Sequence, residues 1–76
     1  MKSFKVMLSS IVDVKTFVDI VNEFDFDVDM VSGRYIVDAK SLMGIFSLDL
    51  GNPVTMRVYT DQIDIVEEKL GKFIVK

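Results

Sequence analysis

Residues 24–39 read FDFDVDMVSGRYIVDA, and their pattern decides the fold. From Phe24 onward the apolar period is two. Phe26, Val28 and Met30 point one way while Asp25, Asp27 and Asp29 point the other, the pattern of a strand buried on a single face. Ser32-Gly33 reads as a tight hairpin turn, with glycine supplying a positive φ. RYIVDA, residues 34–39, then follows as a second extended run, with Ile36 expected in the core. Strands with only one apolar side need cover on only one face, so this hairpin calls for helices packed against one surface of an antiparallel sheet.

Working outward, the period on the N-terminal side is helical. Val14, Phe17, Val18, Val21 and Phe24 recur at the spacing of one helix face. Ser10 or Asp13 is expected to cap that helix by accepting from its free first-turn amides. SSIV, residues 9–12, reads as a connector, and SFKVML before it as a first strand with Phe4, Val6 and Leu8 on one side. On the C-terminal side, SLMGIFSL (41–48) predicts a short helix weakened by Gly44. Gly51-Asn52-Pro53 is a turn, and VTMRVYT is a fourth strand alternating Val54, Met56 and Val58. Asp61 is placed as the cap of a last helix carrying Ile63, Val66 and Leu70 on one face, ended by Gly71. Phe73, Ile74 and Val75 receive no assignment. The chain is therefore expected to be one α+β domain over residues 1–76: an open-faced βαββαβα sandwich, a four-stranded antiparallel sheet with helices on one face. Its expected core is Phe4, Val6, Phe17, Val18, Val21, Phe26, Val28, Ile36, Val58, Val66 and Leu70.

Composition narrows the function. Seventy-six residues, half of them hydrophobic, make one compact globule. The net charge of −3 comes with scattered lysines and arginines and no basic stripe, which argues against nucleic-acid binding. The N-terminal apolar run is broken by Ser9 and Ser10 and closed by Asp13, too short for a secretory leader, and no run approaches the ~20 apolar residues of a membrane span. A cytoplasmic protein with no membrane insertion is expected. The chain has no cysteine and no histidine. Thiolate nucleophiles, zinc–sulfur sites, disulfides and imidazole acid–base chemistry are thereby excluded, and no catalytic residue, metal site or cofactor is expected. Asp25, Asp27 and Asp29 lack the closing glutamate of a calcium loop and read as a solvated strand face.

One segment concentrates the remaining chemistry: DAKSLMGIFSLDL, residues 38–50. Ser41 stands where a helix should begin and reads as an N-cap. Lys40 precedes it, and more apolar side chains follow than one short helix can bury. The candidate contact surface is Lys40, Met43, Ile45 and Phe46. Met43 and Phe46 are its best members, since a flexible thioether beside an aromatic suits an adaptable interface; for Leu42, Ile45 and Leu48 together core packing is the stronger reading.

Residues 22–50, NEFDFDVDMVSGRYIVDAKSLMGIFSLDL, resemble the HPr family, the small phosphocarrier proteins of the bacterial sugar phosphotransferase system. EFDFDV is similar to that family's passage from helix one into strand two, and VDAKSLMGIFSL to its regulatory-serine motif and short second helix. The resemblance implies the fold derived above. It also implies that Ser41 matches the serine phosphorylated in many HPr proteins by a dedicated HPr kinase, and that the partners are proteins such as a catabolite-control regulator. The departure is as informative. Where the family carries a Gly-x-His-Ala-Arg-Pro-like loop, this chain has SSIVDVK, with no histidine, arginine or proline. A carrier needs an imidazole nitrogen that takes and returns a phosphoryl group, and cationic and amide donors to hold it. Asp13 is the only acceptor in that stretch able to form an acyl phosphate, and nothing in the sequence around it resembles a phosphate cradle. The expectation is a degenerate, non-catalytic, HPr-like regulatory protein. The alternative is a structural or decoy interaction module that binds through Met43 and Phe46, as a homodimer in one form of it, without phosphorylation.

Overall fold

The computed structural model of the protein describes residues 1–75. Along the chain lie β1 (Lys2–Val6), α1 (Ile11–Asn22), β2 (Val28–Ser32), β3 (Tyr35–Asp38), α2 (Leu42–Phe46), β4 (Val54–Val58) and α3 (Ile63–Leu70), followed by a 3-10 turn at Gly71–Phe73. The strands form one antiparallel sheet in the order β1-β4-β2-β3, and the expected open-faced α+β sandwich is the architecture found.

The β2–β3 hairpin sets the register. Ser32 pairs with Tyr35, so the two-residue turn is Gly33-Arg34 rather than Ser32-Gly33. Gly33 takes φ +59°, the left-handed conformation that a glycine adopts without steric cost. Met30 then faces Val37 and Val31 faces Ile36. Because side chains alternate faces, Met30 and Val37 point to the helices and Ile36 points away from them. Ile36 is 58% exposed, which removes it from the core. β2 also starts at Val28, later than the alternation suggested: Phe26 lies in the loop before it, half-buried and stacked on Phe24 at 4.7 Å. Asp25 and Asp27 belong to that same loop, and no group of acidic side chains able to hold a metal occurs among the described residues.

The core is a single cluster between sheet and helices. Phe17, Val21, Met30, Ile45, Met56, Val58, Val66 and Leu70 are fully buried, and Val6, Val18 and Val28 nearly or wholly so; Phe4 is only half-buried. Burying an apolar side chain of this size contributes about 1.5–3 kcal/mol, which is how so short a chain offsets its conformational entropy. Both β1 and β4 supply alternate residues to it, in a register that sets Phe4 against Met56 and Val6 against Val54.

The last residues complete the core. Phe73 is 4% exposed and meets Phe17 edge-to-face, with ring centroids 5.7 Å apart. The phenylalanine carbonyl accepts from the Met7 amide at 2.9 Å, Ile74 bridges to Val6, and the Val75 amide donates to the Lys5 carbonyl at 2.8 Å. The tail therefore runs beside the end of β1. Gly71 does not end α3 by a left-handed stop: it stays right-handed at φ −54°, and the chain tightens into the 3-10 turn that delivers Phe73. Nor does Asp61 cap α3. Gln62 holds the cap position without a side-chain bond, while Thr60 Oγ1 accepts from the Gln62 amide at 3.0 Å.

Candidate functional site

α1 and α2 pack together with the start of α2 tied to the C-terminal end of α1 through Lys40 and Asn22, and the end of α2 beside the start of α1. Both begin on serine. Ser10 Oγ accepts from the Asp13 amide at 3.1 Å, and Ser41 Oγ accepts from the Gly44 amide at 3.1 Å. Each satisfies one of the amides that a helix start leaves without a partner, in an extended cap conformation. Ser10, not Asp13, is thus the cap of α1, and Ile11 and Val12 belong to the helix rather than to a connector.

Asp13 has a different task. Its Oδ2 accepts from both the amide and the hydroxyl of Ser9, at 3.2 and 3.0 Å, in the manner of a capping box shifted by one residue. The two Ser9 donors in front of α1 are therefore answered by a carboxylate of the chain itself. An incoming anion would meet that carboxylate, with no arginine or histidine near it in the sequence.

The α2 start is organised otherwise. Ser41 is exposed, and the first turn of α2 carries no acid. Gly44 packs closely: a Cβ placed there would lie 3.2 Å from Ser41 Oγ and 3.3 Å from Val37 Cβ. Side chains other than hydrogen do not fit easily under the cap. At the other end Ser47 Oγ donates back to the Gly44 carbonyl. The expected helix, Ser41–Leu48, shrinks to the five residues Leu42–Phe46.

Of the residues picked for a contact surface, Met43 and Phe46 lie outside, 75% and 38% exposed. Ile45 does not. It is fully buried in the common core, because a five-residue helix has one side against the sheet and Ile45 is on it. Lys40 is half-buried. Its ammonium donates to the Phe24 carbonyl at 3.1 Å and its own carbonyl accepts from Asn22 Nδ2 at 3.1 Å, so Lys40 ties the β3–α2 turn to the C-terminal end of α1.

The sequence reading missed Ile11 and Val12. They are 64% and 69% exposed at the first turn of α1. Ile11 and Phe46, with Leu8, Ser10, Val14 and Leu50, line one open groove of about 380 Å³ between the start of α1 and the end of α2. The signal was present: Ile11 and Val12 fall outside the Val14, Phe17, Val18, Val21 stripe, so a helix extended back to them must expose them. A slightly larger groove, about 410 Å³, lies between the C-terminal end of α1 and α3 beside Phe24, Phe26 and Lys69, and neither serine lines it.

No family model and no curated protein matches this sequence. Solved structures do. The chain is similar to the crystal structure of HPr-C-His from Thermoanaerobacter tengcongensis, at TM-score 0.71 and 26% identity over 93% of this chain and 97% of that one. It is similar also to the phosphocarrier protein HPr from Bacillus anthracis str. Ames, at TM-score 0.75 and 26% identity over 95% and 93%. The chain is an HPr-like protein. The likeness spans the whole order of elements, and within it the HPr-like chain holds no histidine anywhere. No helix among its described residues is long and apolar enough to cross a membrane.

Proposed function

We propose that this HPr-like protein works by binding other proteins, as a regulatory member of the phosphotransferase network or of carbon catabolite control, and that it is not a phosphohistidine carrier. A single observation carries the reading: an HPr-like fold with no histidine, whose α1 start is already occupied by the Asp13 carboxylate. Phosphoryl relay through an imidazole has no residue to run on. What the domain retains is exposed apolar surface at Ile11, Val12, Met43 and Phe46, with Ile11 and Phe46 lining one groove, and a hydroxyl, Ser41, standing free of acid in its own first turn.

Phosphorylation of Ser41 by an HPr kinase would add about −1.5 to −2 charge at the edge of that apolar surface. The added charge would change what the surface binds without touching the core, because Ser41 is exposed and the residues behind it are held by other contacts. The setting fits a cytoplasmic switch that docks onto a regulator or enzyme. The rival reading is a structural or decoy module that needs no phosphate; the Ser41 hydroxyl being spent on its cap bond favours it.

The test is incubation with HPr kinase and ATP, followed by mass spectrometry and binding to candidate regulators. Phosphate on Ser41, absent from Ser41→Ala, together with a tenfold or larger change in partner affinity (about 1.4 kcal/mol) supports regulation. A phosphorylated protein that binds every tested regulator as the unmodified one does, with Met43→Ala and Phe46→Ala equally without effect, overturns it. Phosphorylated enzyme I should transfer nothing; label arriving at the rate of a histidine-bearing HPr would refute the loss of carrier function.

A further inference from the structure

The two outer strands of the sheet are unequally protected. β1 has the C-terminal tail beside it: Val75 bonds to the Lys5 carbonyl and Ile74 bridges to Val6. β1 also carries Lys2 and Lys5, so two copies meeting antiparallel across Ser3 and Phe4 would set like charges against each other. β3 has β2 on one side and no described strand on the other. An outer strand left bare is a template for pairing with another chain unless charge, proline or a bulge discourages it.

The free edge of β3 can be read from its ladder. The Ala39 amide donates to the Val28 carbonyl at 2.9 Å, continuing the Met30–Val37 and Ser32–Tyr35 register. In an antiparallel pair, hydrogen-bonding residues alternate. Tyr35, Val37 and Ala39 therefore turn their backbone groups to β2, and Ile36 turns its amide and carbonyl outward. Around Ile36 the sequence is Arg34-Tyr35-Ile36-Val37-Asp38, which is self-complementary in charge.

We propose that the β3 edge is a homodimer interface, joining two copies antiparallel about a two-fold axis at Ile36. Ile36 exchanges both backbone hydrogen bonds with Ile36 of the second copy. Arg34 stands opposite Asp38 of the other chain, twice over, and Tyr35 stands opposite Val37. Arg34, Ile36 and Asp38 share the open face, where all three are exposed. Asp38 spends only Oδ1, on the Lys40 amide at 2.9 Å, which leaves Oδ2 for the guanidinium. Tyr35, 71% exposed at the rim of the helix side, would gain cross-strand cover. The occupant is a second copy rather than an unrelated strand because the charges repeat under the two-fold. This interface is separate from the Met43 and Phe46 surface and does not depend on Ser41.

A junction of one short strand pair is small, so association is expected between about 10 µM and 1 mM, the regime of interfaces burying less than about 1,200 Å². Sedimentation velocity over that range, with circular dichroism to confirm folding, gives the test. Arg34→Asp and Asp38→Arg should each weaken self-association at least about tenfold. Mixed one to one, they should form a heterodimer as tight as the wild-type dimer, since every opposed pair again carries opposite signs. Ile36→Lys, at an exposed position, should abolish pairing without unfolding the domain, and covers the case in which Asp38→Arg fails to fold. A wild-type protein monomeric throughout the range, a dimer indifferent to Arg34→Asp and Ile36→Lys, or one lost instead in Met43→Ala or Phe46→Ala overturns the proposal.

Discussion

The starts of α1 and α2 use the same cap and do opposite things with it. Ser10 and Ser41 each accept from the amide three residues on, at the same 3.1 Å. Behind Ser10 stands Asp13, which spends the Ser9 donors on an internal carboxylate. Behind Ser41 stands Gly44, which brings only a tightly packed backbone. Asp38 ends β3 just before the turn into α2, its Oδ1 committed to the Lys40 amide. One helix start thus carries an acid in its own first turn, and the other is only crowded. The difference teaches that one cap can serve two electrostatic settings: the α1 start holds a carboxylate within its own cap network, while the α2 start keeps an accessible hydroxyl.

The bluntest way to break the comparison is to remove the platform under both ends. Phe17 is fully buried and packs edge-to-face on Phe73. Phe17→Ala should cost about 3–5 kcal/mol, close to the whole stability of a domain this small. Chemical denaturation checks it. A midpoint near that of the wild type would mean that α1 and the tail are held by something other than this contact.

How much of this was legible in the sequence follows from how local each signal is. The order of elements and the stripes of α1 and α3 were readable, because Val14, Phe17, Val18 and Val21 announce a helix face within eight residues. Ile36 was misplaced by a one-residue shift of the turn, from Ser32-Gly33 to Gly33-Arg34, and a shift of one flips every side chain of a strand. Phe73 could not be placed, since its partners Phe17 and Met7 lie at the other end of the chain and leave no periodic trace beside it. At the candidate site, Ser41, Met43 and Phe46 were readable by position. Ile45 was legible in part: it was counted in the contact surface although core packing was the stronger reading for it beside Leu42 and Leu48, and the structure buries it. Ile11 and Val12 were hidden by treating the residues after Ser10 as a loop.

A finer comparison places an aspartate at each cap in turn. Aspartate is as good an N-cap as serine, so the local bond survives in both variants. At position 10 the new carboxylate faces Asp13 three residues on, and a like-charge pair at that spacing costs about 0.2–0.5 kcal/mol. At position 41 the first turn offers no acid, so Ser41→Asp should leave thermal stability nearly unchanged. Ser10→Asp should melt about 1–4 °C below Ser41→Asp at low salt, and the gap should close in 1 M salt, where the screening length falls to about 3 Å. Equal melting temperatures at low salt would show that Asp13 does not set the charge of the α1 start.

The smallest effect tests why α2 has glycine under its cap. Replacing a mid-helix glycine with alanine gains about 0.5–1 kcal/mol from backbone entropy, but at Gly44 the added methyl would press on Ser41 Oγ at 3.2 Å and Ser41 Cβ at 3.3 Å. In the wild type the two effects should nearly cancel, leaving Gly44→Ala within about 0.5 kcal/mol of neutral. Ser41→Ala removes the hydroxyl, costs about 1 kcal/mol as a lost cap, and clears the nearer of the Ser41 contacts. Gly44→Ala should therefore be more favourable in the Ser41→Ala background than alone, with a coupling of about 0.5 kcal/mol or more between residues in contact. Thermal melts of the four proteins measure it. Strict additivity would mean that the methyl is accommodated by Val37 alone, and that the geometry of the Ser41 hydroxyl does not depend on the glycine beneath it.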